Sequence, residues 1–329
     1  MKKKFIPIKP KYKRLDECPP EYANLAISHM DAGEGVFFAR ELEHIKAKTY
    51  DKKWPTLKAR NVLPLEFEAN AGATTITYRQ YDQVGMAKII SNFADDLPRA
   101  DVRGREFNSP VRELADAYGY NIKEINSSKM TGKPLEARRG TAAKRAAYVL
   151  ENKIAFSGDT EHNLGGFFNN PNISEVTLAA DGSGNSKAFS TKTPDQMIRD
   201  LNRLPTLVRT QSKGIETADS MLLPISLWNL LGTTRLPNTG ISVRKWFLDN
   251  SPHIKKIDWV DELSTAGSGG GSRIIVYRYD PEALTLEIPQ DFTQLPVQQR
   301  NLEFEVPCWM STGGVLIYYP LSIAFADGA

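Results

Sequence analysis

The chain has 329 residues, a formal net charge of +3, 41% hydrophobic and 25% charged residues, and two cysteines. A balance this close to neutral excludes a globally basic nucleic-acid binder, so any contact with DNA has to come from a local patch. No apolar run approaches the ~18 residues that a membrane span needs, and Cys18 and Cys308, far apart and outside any CxxC, point to a reducing compartment rather than to a zinc site or a disulfide framework.

Residues 1–35 do not read as a packed domain. Lys2, Lys3, Lys4, Lys9, Lys11, Lys13 and Arg14 precede the first acid, Asp16, and Pro7, Pro10, Pro19 and Pro20 favour extended chain. The stretch lacks the apolar segment of a signal peptide, so synthesis in the cytoplasm is expected. It is either a solvated tail or a basic arm that lies on a neighbouring subunit or on nucleic acid. Residues 35–49 then have helical spacing, with Phe38, Leu42 and Ile45 on one face. Glu43 and Lys46 form a favourable i,i+3 pair, and Trp54-Pro55 ends the helix. Residues 61–79 read as extended, with a turn at Asn70-Ala71-Gly72 and a β-branched, aromatic run from Thr74 to Arg79.

Residues 80–110 carry one short apolar patch, Met86 to Ile90. The stretch then breaks into charges: Asp95, Asp96, Arg99, Asp101, Arg103, Arg105 and Glu106. A segment this long without a core-forming pattern is uncommon inside a compact domain. It reads as a hairpin-like excursion with extended shoulders at 76–83 and 106–122, and the bland alternative is a mobile surface loop. Its mixture of charges would suit reciprocal ion pairs with another subunit.

The longest helical signal runs from Pro134 to about Phe156. Pro134 suits the first turn, and Ala142, Ala146, Val149, Leu150 and Ile154 follow the spacing of one buried face. Such a helix is about 33 Å long. A Gly/Asn-rich turn follows at 157–171. Thr193, Pro194 and Gln196 then open a helix with a capping box, expected to end before Pro205. Met221 to Leu223 reads as a buried strand, residues 225–232 as a short helix closed by Gly232, and Ser242 as the cap of another. Residues 254–260 and 273–279 read as strands separated by a Gly/Ser loop. Near the C-terminus Leu284, Leu286 and Ile288, and again Leu302, Phe304 and Val306, alternate with polar residues as half-buried strands do. Residues 315–325 are almost all apolar, and Pro320 argues for an edge or a bulge there.

Motifs for chemistry are thin. His29, His44, His162 and His253 have no metal-ligand spacing with another His or Cys. There is no phosphate-binding glycine loop and no GxSxG nucleophile elbow. Asp159, Glu161 and His162 come nearest to a site and read as a polar turn. No catalytic, cofactor-binding or metal-binding residue is nominated, which favours a structural or binding role over an enzyme.

The order of the parts is more telling than any single motif. A basic arm, a long charged excursion, a long helix running through Phe156-Ser157-Gly158-Asp159 to Gly165-Gly166-Phe167, an inserted α/β unit and returning strands follow one another. This order resembles the major capsid proteins of tailed bacteriophages with the Hong Kong 97-type fold, which encapsulin shells share. Residues 31–51 and the stretch 76–82 are similar to one uncharacterised-domain branch of those proteins. The resemblance implies an α+β fold. It assigns residues 1–55 to an N-terminal arm and short helix, 56–77 to lead-in strands and 78–110 to an E-loop. A peripheral domain would comprise 111–171 and 273–329, with its spine helix at about 134–156, and 172–272 would form an axial domain. It also implies hexamers and pentamers of an icosahedral head around double-stranded DNA, held by weak non-specific contact. Portal and scaffolding or decoration proteins are its expected partners, and no membrane is involved. The subunit would reside in the virion, and in the host cytoplasm during assembly. In the E-loop, Asp95, Asp96, Arg99, Asp101, Arg103 and Arg105 would meet neighbouring subunits. The Lys–Asn–Glu trio that cross-links some members does not align here, so no cross-link is expected. Too few residues precede the E-loop for a cleaved scaffolding segment, so a separate scaffold is expected. An encapsulin-like compartment and a soluble enzyme or binding protein are the alternatives.

Overall fold

The computed structural model describes residues 52–87, 99–132 and 135–328, without the Leu135 side chain. The basic arm, the helix expected at 35–49, Asp95 and Asp96 lie outside these residues. The chain divides into two units, Met1–Pro55 and Thr56–Ala329, and the helices and strands of the described residues lie in the second.

Its centre is a five-stranded sheet in the order β5 (Ser174–Thr177), β14 (Ile323–Asp327), β8 (Arg273–Tyr277), β6 (Ser220–Leu223) and β7 (Lys256–Trp259). The inner strands read as unbroken apolar runs because both faces are covered. Leu222, Ile275, Tyr277, Ile323 and Phe325 enter one core. Met221, Leu223, Ile274, Val276, Ala324 and Ala326 enter the other. Helices α4 (Pro194–Gln211), α5 (Ile225–Thr233) and α6 (Val243–Asn250) bury Met197, Leu201, Leu204, Leu227 and Phe247 in the second core. The sheet thus crosses the boundary expected at residue 272, because β8 and β14 supply two of its central strands. Pro320 opens a 3-10 turn at Pro320–Ser322 that divides the apolar run into β13 (Gly314–Ile317) and β14, in two different sheets.

Helix α4 begins as expected, with Thr193 and Gln196 forming a capping box. It runs through Pro205, where an end was expected. Pro205 costs the helix one backbone donor. Leu201, Leu204 and Val208 around it are fully buried, and that burial outweighs the local penalty. The same helix carries Asp200, whose carboxylate receives the Lys192 ammonium; neither side chain reaches solvent. Arg199 bridges Asp200 and Asp181 at 2.8 and 2.6 Å. Asp200→Ala would leave the buried Lys192 ammonium only the Asp181 carboxylate, 3.7 Å away, and is expected to cost about 3–5 kcal/mol, whereas joint replacement by Lys192→Met and Asp200→Leu should come close to neutral. Urea titration of the three variants checks this; equal losses in the single and the double variant would refute it.

A second layer holds the first core from the other side. Strands β1 (Leu65–Glu66), β9 (Leu284–Glu287) and β13 form a three-stranded sheet. Helix α1 (Ala59–Val62) precedes β1. Beside them, β4 (Arg112–Asn121) pairs with β12 (Glu303–Thr312) along its whole length, and β10 (Gln290–Gln294) and β11 (Gln298–Arg300) complete that sheet. Helix α2 (Ile122–Thr131) caps its far end.

The long helix α3 (Leu135–Ser157) lies along this sheet. Its buried side differs from the expected one. Gly140, Ala143, Ala147 and Glu151 face inward, while Ala142, Ala146, Val149 and Leu150 are exposed, and only Ile154 of the expected stripe is buried. The reason is closeness of approach. A Cβ on Gly140 would stand 2.8 Å from Gln294 Nε2, and Ala143 packs among Val306, Cys308 and Phe292. Small residues let the helix sit low on the strands, and the bulkier stripe is left outside. Near its C-terminal end the helix anchors α1: Asn152 Oδ1 accepts from the backbone N–H groups of Lys58 and Ala59 at 3.1 and 3.0 Å. Arg60 binds Glu151 at 2.9 Å and Asp291 at 2.8 Å.

Candidate assembly interface

The feature that stands apart from both cores is a two-stranded ribbon, β2 (Thr75–Val84) against β3 (Asp101–Pro110). Ten consecutive pairs hold it, from Thr75↔Pro110 to Val84↔Asp101. The alternation visible from Thr74 to Arg79 makes it a strand. The charged residues that follow keep it from packing into a core.

Register assigns the side chains to faces. Asp101, Arg103 and Arg105 share one face with Tyr78, Asp82 and Phe107. The other face carries Arg79 and Glu106, paired at 2.8 Å, and Thr77 donating to Asn108 at 2.9 Å. The Glu106 carboxylate raises the Arg79 pKa further. Gly104 lies under the Tyr81 ring, which would stand 3.1 Å from an added Cβ. Arg99, Asp101, Arg103 and Arg105 are all exposed. Arg99 precedes the first paired residue. The ribbon thus brings Asp101, Arg103 and Arg105 onto one surface, with Asp95 and Asp96 outside the described residues.

Only the root of the ribbon is embedded. Ser109 is buried and donates to Gly313 O at 3.2 Å, and Val111 N donates to Thr74 O at 3.0 Å. Tyr78 stacks on Phe107 at 5.1 Å and meets Tyr318 edge to face at 4.8 Å. The Tyr318 hydroxyl donates to Glu287 Oε1 at 3.0 Å, and Thr285 donates to the same oxygen at 2.7 Å. Burial pushes the Glu287 carboxyl up, opposed by these hydrogen bonds and reinforced by Glu66 and Glu68. Gly313 has little room: a Cβ there would stand 2.9 Å from Ile76 Cδ1. Between root and body lies a cavity of about 630 Å³ bordered by Phe107, Ile215, Tyr319 and Leu321.

Sequence reasoning nominated the ribbon's charges and missed this root. Tyr318 sat within an apolar run, and Glu287 read as the wet face of a strand. At the far end of the β4–β12 sheet, Asn121 and Glu124 form a capping box for α2, and Arg139 of α3 binds Glu124 at 2.8 Å. No residue of α2 is buried. Among the described residues there is no group of three or more His, Cys, Asp or Glu placed to hold a metal ion, and no helix long and apolar enough to cross a membrane.

A profile of the major capsid protein family matches residues 85–329, well over half of the chain. The chain belongs to the major capsid protein family. No curated protein matches it by sequence. Among solved structures, the capsid of the Myoviridae phage XM1 is similar with a TM-score of 0.76 at 18% identity, covering 90% of this chain and 99% of that one. A Mycobacterium phage Ogopogo structure gives 0.58 at 13% identity over 90% and 100%. A virus-like particle from Pyrococcus furiosus gives 0.50 at 13% over 83% and 92%. At these identities the matches establish the fold, which is the α+β capsid fold of the Hong Kong 97 type. The capsid protein is therefore a structural subunit of a capsid shell.

Proposed function

We propose that the β2–β3 ribbon is the E-loop of this capsid protein and that Arg99, Asp101, Arg103 and Arg105, together with Asp95 and Asp96, form contacts with a neighbouring subunit. The observation that supports this is the contrast between an embedded root and an exposed length of paired strand. An isolated two-stranded ribbon is marginal in water, so one this long is best accounted for by a surface that covers it after assembly. The same reading takes 1–55 as the arm with its short helix and 56–77 as the lead-in. Residues 111–171 and 273–329 become the peripheral domain with its spine helix, and residues around 172–272 the axial domain, which shares its sheet with β8 and β14.

In this reading the subunits form hexamers and pentamers, assemble in the host cytoplasm, and enclose double-stranded DNA with portal and scaffolding or decoration proteins as partners. The near-neutral charge fits a wall that contains DNA without gripping it. Its role is structural throughout, with no catalytic step. Electron microscopy of purified particles, combined with nuclease protection and absorbance at 260 nm, tests it. Closed particles holding protein cargo and no genome-length DNA would favour a protein compartment instead.

The arm contributes through charge. Replacement of Lys2, Lys3, Lys4, Lys9, Lys11, Lys13 and Arg14 by Gln is expected to lower particle yield or DNA retention several-fold at low salt, with the difference from the unmodified protein shrinking as salt is raised. Particle yield and protected DNA measured across a salt series check this, and unchanged particles would make the arm a passive tail.

A further inference from the structure

Glu287 is a buried acid, 3% exposed, to which the shell-forming role gives no task. Two routes tie it to the root of the ribbon. Its backbone carbonyl accepts from Gly313 N at 3.0 Å and from Thr312 Oγ1 at 3.1 Å, and Gly313 O in turn holds the Ser109 hydroxyl. Its carboxyl holds the Tyr318 hydroxyl, and the Tyr318 ring meets Tyr78 of the ribbon.

The second route is one hydrogen short when Glu287 is ionised. Thr285 Oγ1, Tyr318 Oη and Glu287 Oε1 form a triangle with sides of 2.7, 2.8 and 3.0 Å. Every side has the length of a hydrogen bond. Threonine and tyrosine supply one hydrogen each, and an ionised carboxylate supplies none. If both hydroxyls donate to the carboxylate, the Thr285 and Tyr318 oxygens face each other at 2.8 Å with no hydrogen between them. A proton on Glu287 supplies the missing one. The ring then closes in one direction: Thr285 donates to Glu287, Glu287 to Tyr318, and Tyr318 back to Thr285.

The surroundings favour that form. Burial opposes a charge on this carboxyl. Strand β1 sets Glu66 in register with Glu287, and Glu68 follows; these two charges act on the carboxyl, and both are acidic. The chain after β13 brings Tyr318 and the ribbon brings Tyr78, two phenols that burial holds protonated.

We propose that Glu287 is a positioning residue for the ribbon: the root closes around a protonated Glu287, and loss of that proton opens the triangle and frees the ribbon to swing. The direction follows from linkage. Burial and the acidic neighbours raise the Glu287 pKa in the closed root. Closure is therefore fully favoured below the ordinary carboxylate range and loses that support as pH rises through the raised value. The inference concerns the single subunit, and only its effect on shells rests on the assignment of the ribbon to assembly.

Hydrogen exchange on the unassembled full chain tests it. The amides of Val111, Gly313 and Gly314 stitch the root. Their protection, corrected for the intrinsic rate, is expected to fall at least about tenfold between about pH 5 and about pH 8. Amides of β6, in the central sheet, should keep theirs. Glu287→Gln puts a neutral carboxamide with its own hydrogens at the same place, and it should hold the root near its low-pH protection at both values. Glu287→Ala, which has no group to complete the triangle, should be loose at both. Equal root protection at the two pH values in the unmodified chain would overturn the proposal, and that comparison stands even if a variant fails to fold. A root that still loosens with rising pH in Glu287→Gln would overturn it as well. Shell yield across the same range separates the two readings: a root that follows pH in this way, with shells that do not, would support Glu287 in this role and refute the ribbon's part in assembly.

Discussion

Deletion of residues 84–103 is expected to leave a subunit that folds and cannot build shells. The geometry allows a clean cut. Tyr81 pairs with Gly104, so joining Gln83 directly to Gly104 leaves Asp82 and Gln83 as a two-residue hairpin turn. Asn-Gly at those two positions would suit the type I′ geometry that such turns prefer. What remains includes the whole root: the Arg79–Glu106 pair, the Tyr78–Phe107 stack, the Tyr318 contact and the Ser109 bond to Gly313. What is lost was exposed along its described length, so it contributes little to the stability of the isolated chain. The thermal midpoint should therefore move by no more than about 2 °C, a shift that corresponds to about 1.4 kcal/mol for a chain of this size. Assembly should behave differently. Shell contacts are repeated by symmetry, so a small loss per contact multiplies across the particle. Electron microscopy and sedimentation should find soluble subunits or small oligomers where the full chain gives particles. Normal particles from the shortened chain would refute the assignment of this ribbon to assembly.

Much of the fold was legible because its strands and caps announce themselves locally. The Thr193–Gln196 capping box, the Ser242 cap and the alternation of β9 each depend on residues a few positions apart. The long helix was legible as a helix and misread as a surface. Its sequence carries two stripes, a small one through Gly140, Ala143 and Ala147 and a bulkier one through Ala142, Val149 and Leu150. Reading the bulkier stripe as core is sound for a monomer, where apolar residues go inside. A shell subunit keeps some apolar surface for its neighbours, so bulk alone does not say which stripe is buried. The root of the ribbon was illegible for another reason. Tyr78, Glu287, Gly313 and Tyr318 meet only after three strands and a turn are in place, and no spacing in the sequence encodes that meeting. Pro205 misled because a local rule against proline in helices was outweighed by the core around it.

The turn that closes the long helix shows where local sequence and tertiary fit coincide, and Gly166→Ala is expected to be among the most damaging single substitutions in the chain. The last carbonyls of a helix lack partners of their own. Here Phe167 N donates to Ala155 O and Phe168 N to Phe156 O, both at 2.9 Å, so the returning chain lies against the helix end. Gly158 takes φ +68°, and its N–H bonds Ile154 O at 2.7 Å. The return brings Phe168 onto Phe156 at 4.7 Å and Phe167 against Tyr277 at 5.2 Å, which fills the first core. Gly166 stands at the crossing. An added Cβ would lie 2.2 Å from Gly158 N and 2.5 Å from Ser157 C. Those are backbone atoms, so no side chain can swing away. Either the helix end or the phenylalanine pair must move, and both are packed. We expect a loss of about 3 kcal/mol or more, in the range of severe overpacking. Gly184→Ala is the matched control. Gly184 also has a positive φ, +70°, with nothing within 4 Å of an added Cβ, so it should cost only the left-handed penalty of about 1–2 kcal/mol. Denaturant titration of both variants separates clash from conformation. If Gly166→Ala lost no more than Gly184→Ala, the close crossing would not be what fixes the end of this helix.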